Sequence, residues 1–431
     1  MCPPAPAGMT GNDPGGVTVA MRLFSLALNP AADHAAGYGV AQSAVLDDDQ
    51  MQAAAAEIRT WPGYAPTSLV SLPGLAAALG IAELHYKDEG TRFGLGSFKP
   101  LGGAYAVFRA VARSVAERTG EMPSSRELLD GAHRDSAGGI TVCAATDGNH
   151  GRSVAWGAHT FGCRCVIYIT ESVTPAREQA IAAFGAEVVR HPGSYDDAVR
   201  AVAERAEREG WLVIPDTSDG SSVTVPRDVM AGYTLMAEEA IGQLPEGRPP
   251  THLFLQAGVG GMAAAVCAKF WRTYGHQRPF TLSVEPAQCA CWYHSLIAGH
   301  PVAVTGEIDS VMAGLACGEV SRLAWPILHT GADAAMTVED PLAPEAMRLL
   351  AAAPHGDLPL VGGESGVAGL AGLLAVAGDV PARRTIGLDH SSRVLLFGTE
   401  GDTDAENYTL LVGRSGAEVR YSAAAFTGEH Q

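Results

Sequence analysis

The segment ITVCAATDGNHGRSVAWGAHTFGCRCVIYIT, residues 140–170, contains the pattern that decides the fold. An apolar run passes through a polar, glycine-bearing loop into a helical stretch, and a second apolar run follows. The alternation continues to residue 217, and a second one begins near THLFLQAG and closes with RVLLFGTEGDTD. Strands that alternate with helices form parallel sheets with crossover helices. The sequence therefore predicts the α/β class with two α/β units, the second preceded by the loop QLPEGRPP, residues 243–250.

The composition predicts a globular protein that acts on small molecules. Hydrophobic residues make up 47% of the 431 positions, and Lys plus Arg number 29 against 47 Asp plus Glu, a net charge of −18. No block of Lys or Arg supplies the basic face that a nucleic acid or an anionic membrane would need. The longest apolar runs are too short to span a bilayer. We expect a cytoplasmic protein with a small-molecule substrate and with neither a nucleic-acid nor a membrane partner.

The N-terminal tail and the cysteines both bear on the cellular compartment. Residues 1–20 are rich in Pro and Gly and lack the basic and apolar segments of a signal peptide, so we expect a disordered tail.

The eight cysteines are scattered, which fits reduced, buried thiols, and none has the spacing of a zinc site. We therefore predict no metal site. Cys289 or Cys291 could pair with Cys317 if the fold brings them together, but unpaired thiols are favoured in a reducing compartment.

Three glycine-bearing loops follow strand-like runs, and each has its own polar content. ATDGNHGRSVAW, residues 145–156, places an aspartate, an asparagine and a histidine in a turn that enters a helix. LQAGVGGMAAAV, residues 255–266, is a strand-to-helix turn whose backbone amides at 258–261 suit a phosphate. GTEGDTD, residues 398–404, ends the last strong strand. Each loop alone is more typical of ordinary packing of a strand on a helix than of ligand binding.

Lys99 gives the three loops a common explanation. It stands between Phe98 and Pro100 in the segment SFKPLGGA. A phosphate cradle, a reactive amine and hydrogen-bonding loops at the carboxyl ends of parallel strands describe a cofactor in the crevice of an open α/β sheet. The cofactor that needs a lysine is pyridoxal phosphate, which binds it as a Schiff base. The glycine run lacks the G-x-G-x-x-G fingerprint, which argues against a nucleotide-binding dehydrogenase.

Six segments together resemble the diaminopropionate ammonia-lyase family of fold-type II pyridoxal-phosphate enzymes, in the superfamily of the tryptophan synthase β-subunit. They are KDEGTRFGLGSFKPLGGAYAV, ATDGNHGRSVAW, DVMAGYTLMAEEA, VMAGLACGEVSRLAWPIL, GGESGVAGL and TEGDTD, which span about residues 57–412. The resemblance implies two open, twisted parallel-sheet domains with the cofactor in the cleft between them. It also implies a homodimer, with a large domain of residues 21–103 and 222–431 and a small domain of residues 104–221.

The resemblance also assigns residues to the cofactor. It implies that Lys99 carries pyridoxal phosphate as a Schiff base, and we expect burial beside Phe98 to lower the pKa of the Lys99 amine. Asn149 is expected to hydrogen-bond the ring hydroxyl, Thr399 to lie near the pyridine nitrogen, and Glu364 to line the edge of the cofactor. The phosphate is expected to lie on the glycine turn, which consists of Gly258, Val259, Gly260 and Gly261.

Two aspartates are implied to act as acids or bases beside the Schiff base. In the family the counterpart of Asp147 serves the D enantiomer of the substrate, and the counterpart of Asp216 serves the L enantiomer. The alternatives are a helix N-cap role for Asp147 and a turn-forming role for Asp216. For His150 we favour packing within the loop over a role as a proton shuttle.

The reaction that the resemblance implies is the α,β-elimination of 2,3-diaminopropionate to pyruvate and ammonia, which makes the protein a carbon-nitrogen lyase. One departure leaves an alternative open: the family usually has Trp-x-Gly-Tyr where this chain has the residues 218–221, SDGS. β-Elimination or β-replacement on another β-substituted alanine, such as serine or O-phosphoserine, in a biosynthetic pathway remains an alternative. A catalytically silent pyridoxal-phosphate-binding protein is a third, against which the retained Lys99, Asp147 and Asp216 argue.

Overall fold

A computed structural model of the chain describes residues 23–146, 148–171, 173–218, 222–306 and 308–429. The tail at 1–20, Asp147 and residues 219–221 therefore lie outside the described ranges. The strands are β1 (Phe24–Leu28), β2 (Leu69–Ser71), β3 (Glu83–Asp88), β4 (Thr141–Ala145), β5 (Arg164–Thr170), β6 (Glu187–His191), β7 (Leu212–Val213), β8 (His252–Gln256), β9 (Phe280–Pro286), β10 (Ala334–Val338) and β11 (Arg393–Gly398).

Most of the helices lie between these strands in the chain, and two follow the last strand. They are α1 (Val40–Ser43), α2 (Asp48–Ile58), α3 (Pro73–Leu79), α4 (Lys99–Thr119), α5 (Ser125–Leu129), α6 (Arg134–Gly138), α7 (Asn149–Phe161), α8 (Pro175–Ala182), α9 (Tyr195–Glu209), α10 (Thr224–Gln243), α11 (Gly261–Tyr274), α12 (Cys291–Ala298), α13 (Trp325–Gly331), α14 (Leu342–Ala352), α15 (Ala368–Ala377), α16 (Val380–Ile386), α17 (Ala405–Val412) and α18 (Gly416–Glu429).

The larger sheet has the strand order β1-β10-β9-β8-β11-β3-β2. Its inner strands run parallel, and antiparallel β1 and β2 form the two edges. The inner strands are apolar along their length because both faces are covered. In β8, Leu253 and Leu255 belong to one core cluster and Phe254 to the other. The predicted α/β class is confirmed, and the two edge strands are additions that the sequence pattern did not indicate.

The smaller sheet has the order β6-β5-β4-β7, and all of its strands run parallel. Alternate residues of β5 again face two cores: Ile167 lies in the main core cluster, and Val166 and Tyr168 lie in a smaller one with residues of α9. This sheet confirms the strand and helix alternation that the sequence predicts for residues 140–217.

Helix α4 lies between the two sheets and packs through small residues. A Cβ atom at Gly157 of α7 would approach Ala104 Cα to 2.8 Å, and one at Gly102 would approach Val229 O of α10 to 2.7 Å. Real Cβ atoms do not come so close, so larger residues at these positions would push the helices apart. The predicted domain boundary at 103/104 falls inside α4, and the domain division itself stays a prediction.

The polar loops lie at the carboxyl ends of parallel strands. The end of β4 leads to Asn149, the end of β8 to residues 258–261, and the end of β11 to Thr399. The end of β3 leads through a short 3-10 segment, Glu89–Gly94, to Lys99. In open α/β sheets this is the edge where ligands bind. Among the described helices, none is long and apolar enough to cross a membrane.

Candidate active site

Lys99 is the first residue of α4, and its amine faces Asp216. Lys99 Nζ lies 3.2 Å from Asp216 Oδ2, and the two side chains are 23% and 24% exposed. Pro100 occupies the first turn of the helix, where no backbone N–H is needed, so it starts α4 and does not interrupt it. Asp216 follows the short strand β7 at the carboxyl edge of the smaller sheet. The predicted amine and one predicted acid therefore meet across the space between the sheets.

The charges of this pair differ from the sequence expectation. Burial disfavours the charged Lys99 amine, but the nearby Tyr233 and Asp216 outweigh it and raise the pKa of Lys99 above its usual value. Burial likewise disfavours the Asp216 carboxylate, but Lys99 and His150 outweigh it and lower the pKa of Asp216 to about 2. The expectation that burial beside Phe98 lowers the pKa of Lys99 is wrong, because it did not include a carboxylate from a distant part of the chain.

The asparagine loop enters α7 at Asn149. Asn149 Nδ2 donates to Glu400 Oε2 at 2.6 Å, which connects α7 to the residue after Thr399. The buried His150 contacts Ile214 O through Nε2 at 2.7 Å, and burial lowers the pKa of its imidazole. This contact agrees with packing of His150 within the loop. Asp147 lies outside the described residues, so its proposed role stays a prediction.

The glycine turn between β8 and α11 forms a cradle of backbone. Gly260 has φ +99°, a conformation that favours glycine, and a Cβ atom there would collide with the Trp292 ring. A Cβ atom at Gly258 would lie 3.2 Å from Cys317 Sγ, so this side of the turn is closed. At Gly261 the nearest atoms to such a Cβ would be 3.7 Å and 3.9 Å away, the second being Asp216 O. The turn therefore lies beside the backbone of Asp216, and Gly258 and Val259 within it are only partly buried.

Thr399 is held beside the turn by a side chain from β8. Gln256 Nε2 donates to Thr399 Oγ1 at 2.8 Å and to Phe397 O at 2.7 Å. The backbone N–H of Phe98 donates to Thr399 O at 2.9 Å, which fixes the loop before Lys99 to the end of β11. Because Thr399 Oγ1 accepts a hydrogen bond from Gln256, its own hydroxyl proton is available to another acceptor.

Glu364 lies in a group of carboxylates at the same edge. Burial, and next the carboxylate of Glu400, raise the pKa of Glu364 to about 7. Arg177 of α8 approaches Glu364 Oε1 at 3.3 Å and Asp404 Oδ2 at 3.7 Å. Asp404 also caps α17 by accepting from Asn407 N at 3.2 Å. These ion pairs connect α8, which follows a strand of the smaller sheet, to loops at the edge of the larger sheet.

The cysteines near the site are unpaired thiols. Cys291 Sγ lies 3.4 Å from Glu285 Oε1, and all cysteines within the described ranges are free. Burial raises the pKa of Cys317 to about 12, so its thiol is protonated at neutral pH. Among the described residues no cluster of side chains suits a metal ion.

The sequence interpretation did not find three residues that support the site: Tyr233, Gln256 and Glu400. The Tyr233 ring packs on Phe98 with centroids 4.6 Å apart, and burial raises the pKa of its hydroxyl to about 12. Tyr233 lies in the segment DVMAGYTLMAEEA, which is part of the family resemblance, but the segment alone assigns it no role. Gln256 stands two residues before the glycine turn, and Glu400 follows Thr399. Their neighbours in the sequence do not show which residues they contact.

The chemistry of this site fits pyridoxal phosphate. An amine at Lys99 suits the aldehyde, and the partly exposed backbone turn at the N-terminus of α11 suits the phosphate. Thr399 offers a hydroxyl and Asn149 an amide to groups on the ring. A Cβ at Gly258 would crowd Cys317, and one at Gly260 would collide with Trp292. These contacts explain the glycines at both positions.

Comparisons with known proteins agree with this fit. The family of pyridoxal-phosphate dependent enzymes matches residues 60–391. The diaminopropionate ammonia-lyase of Escherichia coli (strain K12) is 39% identical over 358 residues, which cover 81% of this chain and 88% of that protein. The crystal structure of the holo diaminopropionate ammonia lyase from Escherichia coli has a TM-score of 0.81 at 35% identity, and it covers 90% of this chain and 96% of that one.

A second crystal structure of the Escherichia coli enzyme, in complex with D-serine, gives the same TM-score of 0.81 at 35% identity, with coverage of 90% of this chain and 96% of that one. The family match at residues 60–391 includes Lys99, Asn149, Asp216 and the glycine turn at 258–261. The chain therefore belongs to the pyridoxal-phosphate dependent enzymes and, among them, to the diaminopropionate ammonia-lyase family.

Proposed function

We propose that this protein catalyses the α,β-elimination of 2,3-diaminopropionate to pyruvate and ammonia. The observation that carries the proposal is the pair of Lys99 Nζ and Asp216 Oδ2, 3.2 Å apart beside the glycine turn. A site for cofactor binding alone needs the lysine, but it does not need a carboxylate with a pKa of about 2 within reach of the lysine amine. Family membership supplies the substrate class.

The cofactor would be held by residues from both sheets. Lys99 would bind its aldehyde, the amides of residues 258–261 its phosphate, Asn149 its ring hydroxyl and Thr399 its ring nitrogen. When bound, pyridoxal phosphate supplies an electron-withdrawing ring that makes the Cα–H bond of an attached amino acid acidic. Phe98 and Glu364 would line its edges.

Asp216 is proposed to accept protons at Oδ2. With a pKa of about 2 it is a carboxylate at neutral pH, and it stabilises the cationic amine of Lys99. The amine must lose a proton before it can act as a nucleophile, and its ion pair with Asp216 Oδ2 opposes that loss as long as the amine is cationic. We propose that Asp216 also takes the Cα proton of the L substrate, and that Asp147 does so for the D substrate.

The hydrogen bond from Gln256 determines the direction in which the Thr399 hydroxyl donates. Gln256 Nε2 donates to Thr399 Oγ1, so the Thr399 O–H is the donor toward any acceptor on its other side. A hydroxyl that donates to a ring nitrogen leaves that nitrogen unprotonated, whereas a carboxylate there would favour the protonated form. This arrangement favours prompt departure of a β-substituent.

The test is a product assay with a panel of substrates. Elimination of one ammonia leaves 2-aminoacrylate, whose hydrolysis gives pyruvate and a second ammonia, so the expected stoichiometry is two ammonia per pyruvate. Purified holoenzyme would be assayed with D- and L-2,3-diaminopropionate, D- and L-serine and O-phosphoserine, with the visible spectrum recorded in parallel. Pyruvate and ammonia in this ratio from diaminopropionate would support the proposal. A spectral change with another amino acid, and no pyruvate from diaminopropionate, would refute it.

The alternative reaction is elimination or replacement on a different β-substituted alanine. Its support is the segment 218–221, where small polar residues stand in place of the aromatic residues usual in the family. Ser218 is buried, and its hydroxyl donates to Ser222 O at 2.6 Å. In the substrate panel, faster turnover of serine or O-phosphoserine than of diaminopropionate would favour this alternative.

The assembly and location belong to the proposal as well. A homodimer in the cytoplasm, with a small domain of residues 104–221 and a large domain of residues 21–103 and 222–431, is supported by the family resemblance. Leu410 and Tyr421, which are 82% and 79% exposed on α17 and α18, offer apolar surface for a second copy. Light scattering on the purified holoenzyme would give the mass of the assembly, and a mass of one chain would refute the dimer.

A further inference from the structure

Glu400 is a buried carboxylate that the proposed chemistry does not use. It follows Thr399 at the end of β11 and is 6% exposed. Its Oε2 accepts from Asn149 Nδ2 at 2.6 Å, and its Oε1 accepts from the backbone N–H of Ser365 at 2.9 Å. Its own backbone pairs with Ser97, two residues before Lys99, and its carbonyl accepts from Gly363 N at 2.9 Å. Both carboxylate oxygens are therefore occupied, and the position of the side chain is fixed.

The contact with Glu400 determines how the Asn149 amide is oriented. An ionised carboxylate only accepts hydrogen bonds, so Asn149 must turn its NH₂ group, and not its oxygen, toward Glu400. One N–H is used in this contact. The second N–H and the amide oxygen remain for partners in the space between the sheets.

The contact also joins two distant parts of the chain. Asn149 begins α7, which follows a strand of the smaller sheet, and Glu400 follows a strand of the larger sheet. A hydrogen bond that involves a charged group stabilises more than a neutral one, and it is strengthened further when it is shielded from water. The end of β11 therefore holds the asparagine loop in a fixed position relative to Lys99.

We propose that Glu400 is a positioning residue that orients Asn149 toward the ring hydroxyl of the cofactor. The proposal rests on the cofactor contact that the proposed function assigns to Asn149. It makes Glu400 part of cofactor recognition without direct contact between Glu400 and the cofactor.

A double-mutant cycle tests whether Glu400 acts through Asn149. Gln is isosteric with Glu but has one oxygen, so in Glu400→Gln either Asn149 or the Ser365 N–H must face an NH₂ group. We expect the apparent Kd for pyridoxal phosphate, measured by dialysis and absorbance, to rise about fivefold to tenfold in Glu400→Gln, as is typical of losing one hydrogen bond. We expect the visible absorption band of the bound cofactor to shift in the same variant.

In the Asn149→Ala background, Glu400→Gln should change neither the Kd nor the band further, because the residue through which it acts is gone. An equal rise of the Kd in both backgrounds would overturn the proposal, as would an unchanged Kd and spectrum in Glu400→Gln alone. If Glu400→Gln does not fold, Glu400→Asp in the two backgrounds provides the same comparison, since its shorter side chain withdraws the carboxylate from Asn149.

The matched control is Asp402→Asn. Asp402 lies in the same loop and loses a charge in the same way, but its carboxylate contacts Arg420 at 2.8 Å and 2.9 Å and not Asn149. It should leave the Kd and the spectrum unchanged. These readouts do not depend on turnover, so a protein that shows the expected cycle but makes no pyruvate from diaminopropionate would support the role of Glu400 and refute the proposed reaction.

Discussion

Two lysines in the same stretch of chain, Lys87 and Lys99, have opposite surroundings. Lys87 is fully buried and donates to Thr67 O at 2.7 Å, to Glu239 Oε2 at 2.8 Å and to Gln243 Oε1 at 2.9 Å. An ammonium group has three N–H bonds, and all three are used. Lys99 has a single carboxylate contact at 3.2 Å and is partly exposed. The two amines therefore differ in their acceptors: three oxygens at 2.7–2.9 Å surround Lys87, whereas Lys99 has the Asp216 carboxylate and the Tyr233 hydroxyl beside it.

The surroundings of Lys87 form a closed ionic network. Arg92 donates to Glu89 at 2.8 Å and to Glu239 at 2.7 Å, and all of these side chains are buried. Burial lowers the pKa of Lys87, while Glu239 and Glu89 oppose that change. A buried network of this kind is costly to break at one member, because the remaining charge loses its partner. The network holds β3 and α10 together.

The first prediction concerns the reactive lysine. Lys99→Arg keeps the charge opposite Asp216 but removes the primary amine, so pyruvate formation should fall at least about a thousandfold. The visible band of the bound cofactor should disappear as well. Lys269→Arg is the control, because Lys269 pairs with Glu238 at 2.6 Å away from the site. Activity in Lys99→Arg close to that of the control would contradict the assignment.

The second prediction concerns the structural lysine. Lys87→Met leaves Glu239 with one cation fewer in a buried site, and the free energy of unfolding should fall by about 3–5 kcal/mol. Urea unfolding would measure the loss, with Lys269→Met as the partly exposed control. Turnover per bound cofactor should stay near that of the parent protein. If turnover fell and stability did not, the division between the two lysines would be wrong.

The third prediction separates the two proposed bases. Asp216→Asn should lower kcat/KM for L-2,3-diaminopropionate by about a hundredfold, as expected for loss of a general base, with a smaller change for the D enantiomer. Asp147→Asn should give the opposite pattern. Asp130→Asn, which changes an exposed aspartate paired with Arg126, is the control. Equal losses for both enantiomers in Asp216→Asn would show that this residue acts on Lys99 alone.

The fourth prediction extends the comparison to a buried carboxyl without a cation. Burial raises the pKa of Glu285 to about 8, although the backbone N–H groups of Trp292 and Tyr293 donate to it. The folded state then binds a proton that the unfolded state releases near pH 4.5, so the free energy of unfolding falls as the pH rises from about 4.5 to 8.

Glu285→Gln removes this titration and keeps an oxygen for one of the two N–H donors, while the other donor faces the amide NH₂ group. The slope of unfolding free energy against pH should become flatter in the variant, by on the order of 1 kcal/mol per pH unit. Unfolding curves at pH 5, 6, 7 and 8 would measure it. Parallel slopes for the parent and the variant would mean that Glu285 does not titrate in this range.

Local sequence signals predicted much of the fold and part of the site. The alternation of strands and helices predicted both sheets, because apolar runs and glycine turns are read from neighbouring residues. The same signals indicated the lysine segment and the three polar loops, whereas the roles of Asn149 and Thr399 came from the family resemblance and stay predictions. Their chemistry depends on residue type and on position after a strand, and both are visible in the sequence.

The sequence could not show contacts between distant segments. Asn149 meets Glu400 from 251 positions away. The family resemblance implied that Asp216 lies beside Lys99, but the expected pKa change considered burial alone and not this carboxylate, which is 117 positions away. The direction of the Lys99 pKa change was therefore wrong, and Glu400 and Gln256 were not found.

Lys99 occupies the first position of a helix that both halves of the protein share. Small residues let α4 touch α7 on one side and α10 on the other, so the helix has little freedom to slide. A core substitution far along α4 would tilt its axis and displace its first residue. The reaction rate should therefore report on packing at a distance, and random mutagenesis that selects for activity should find α4 among the least tolerant segments of the chain.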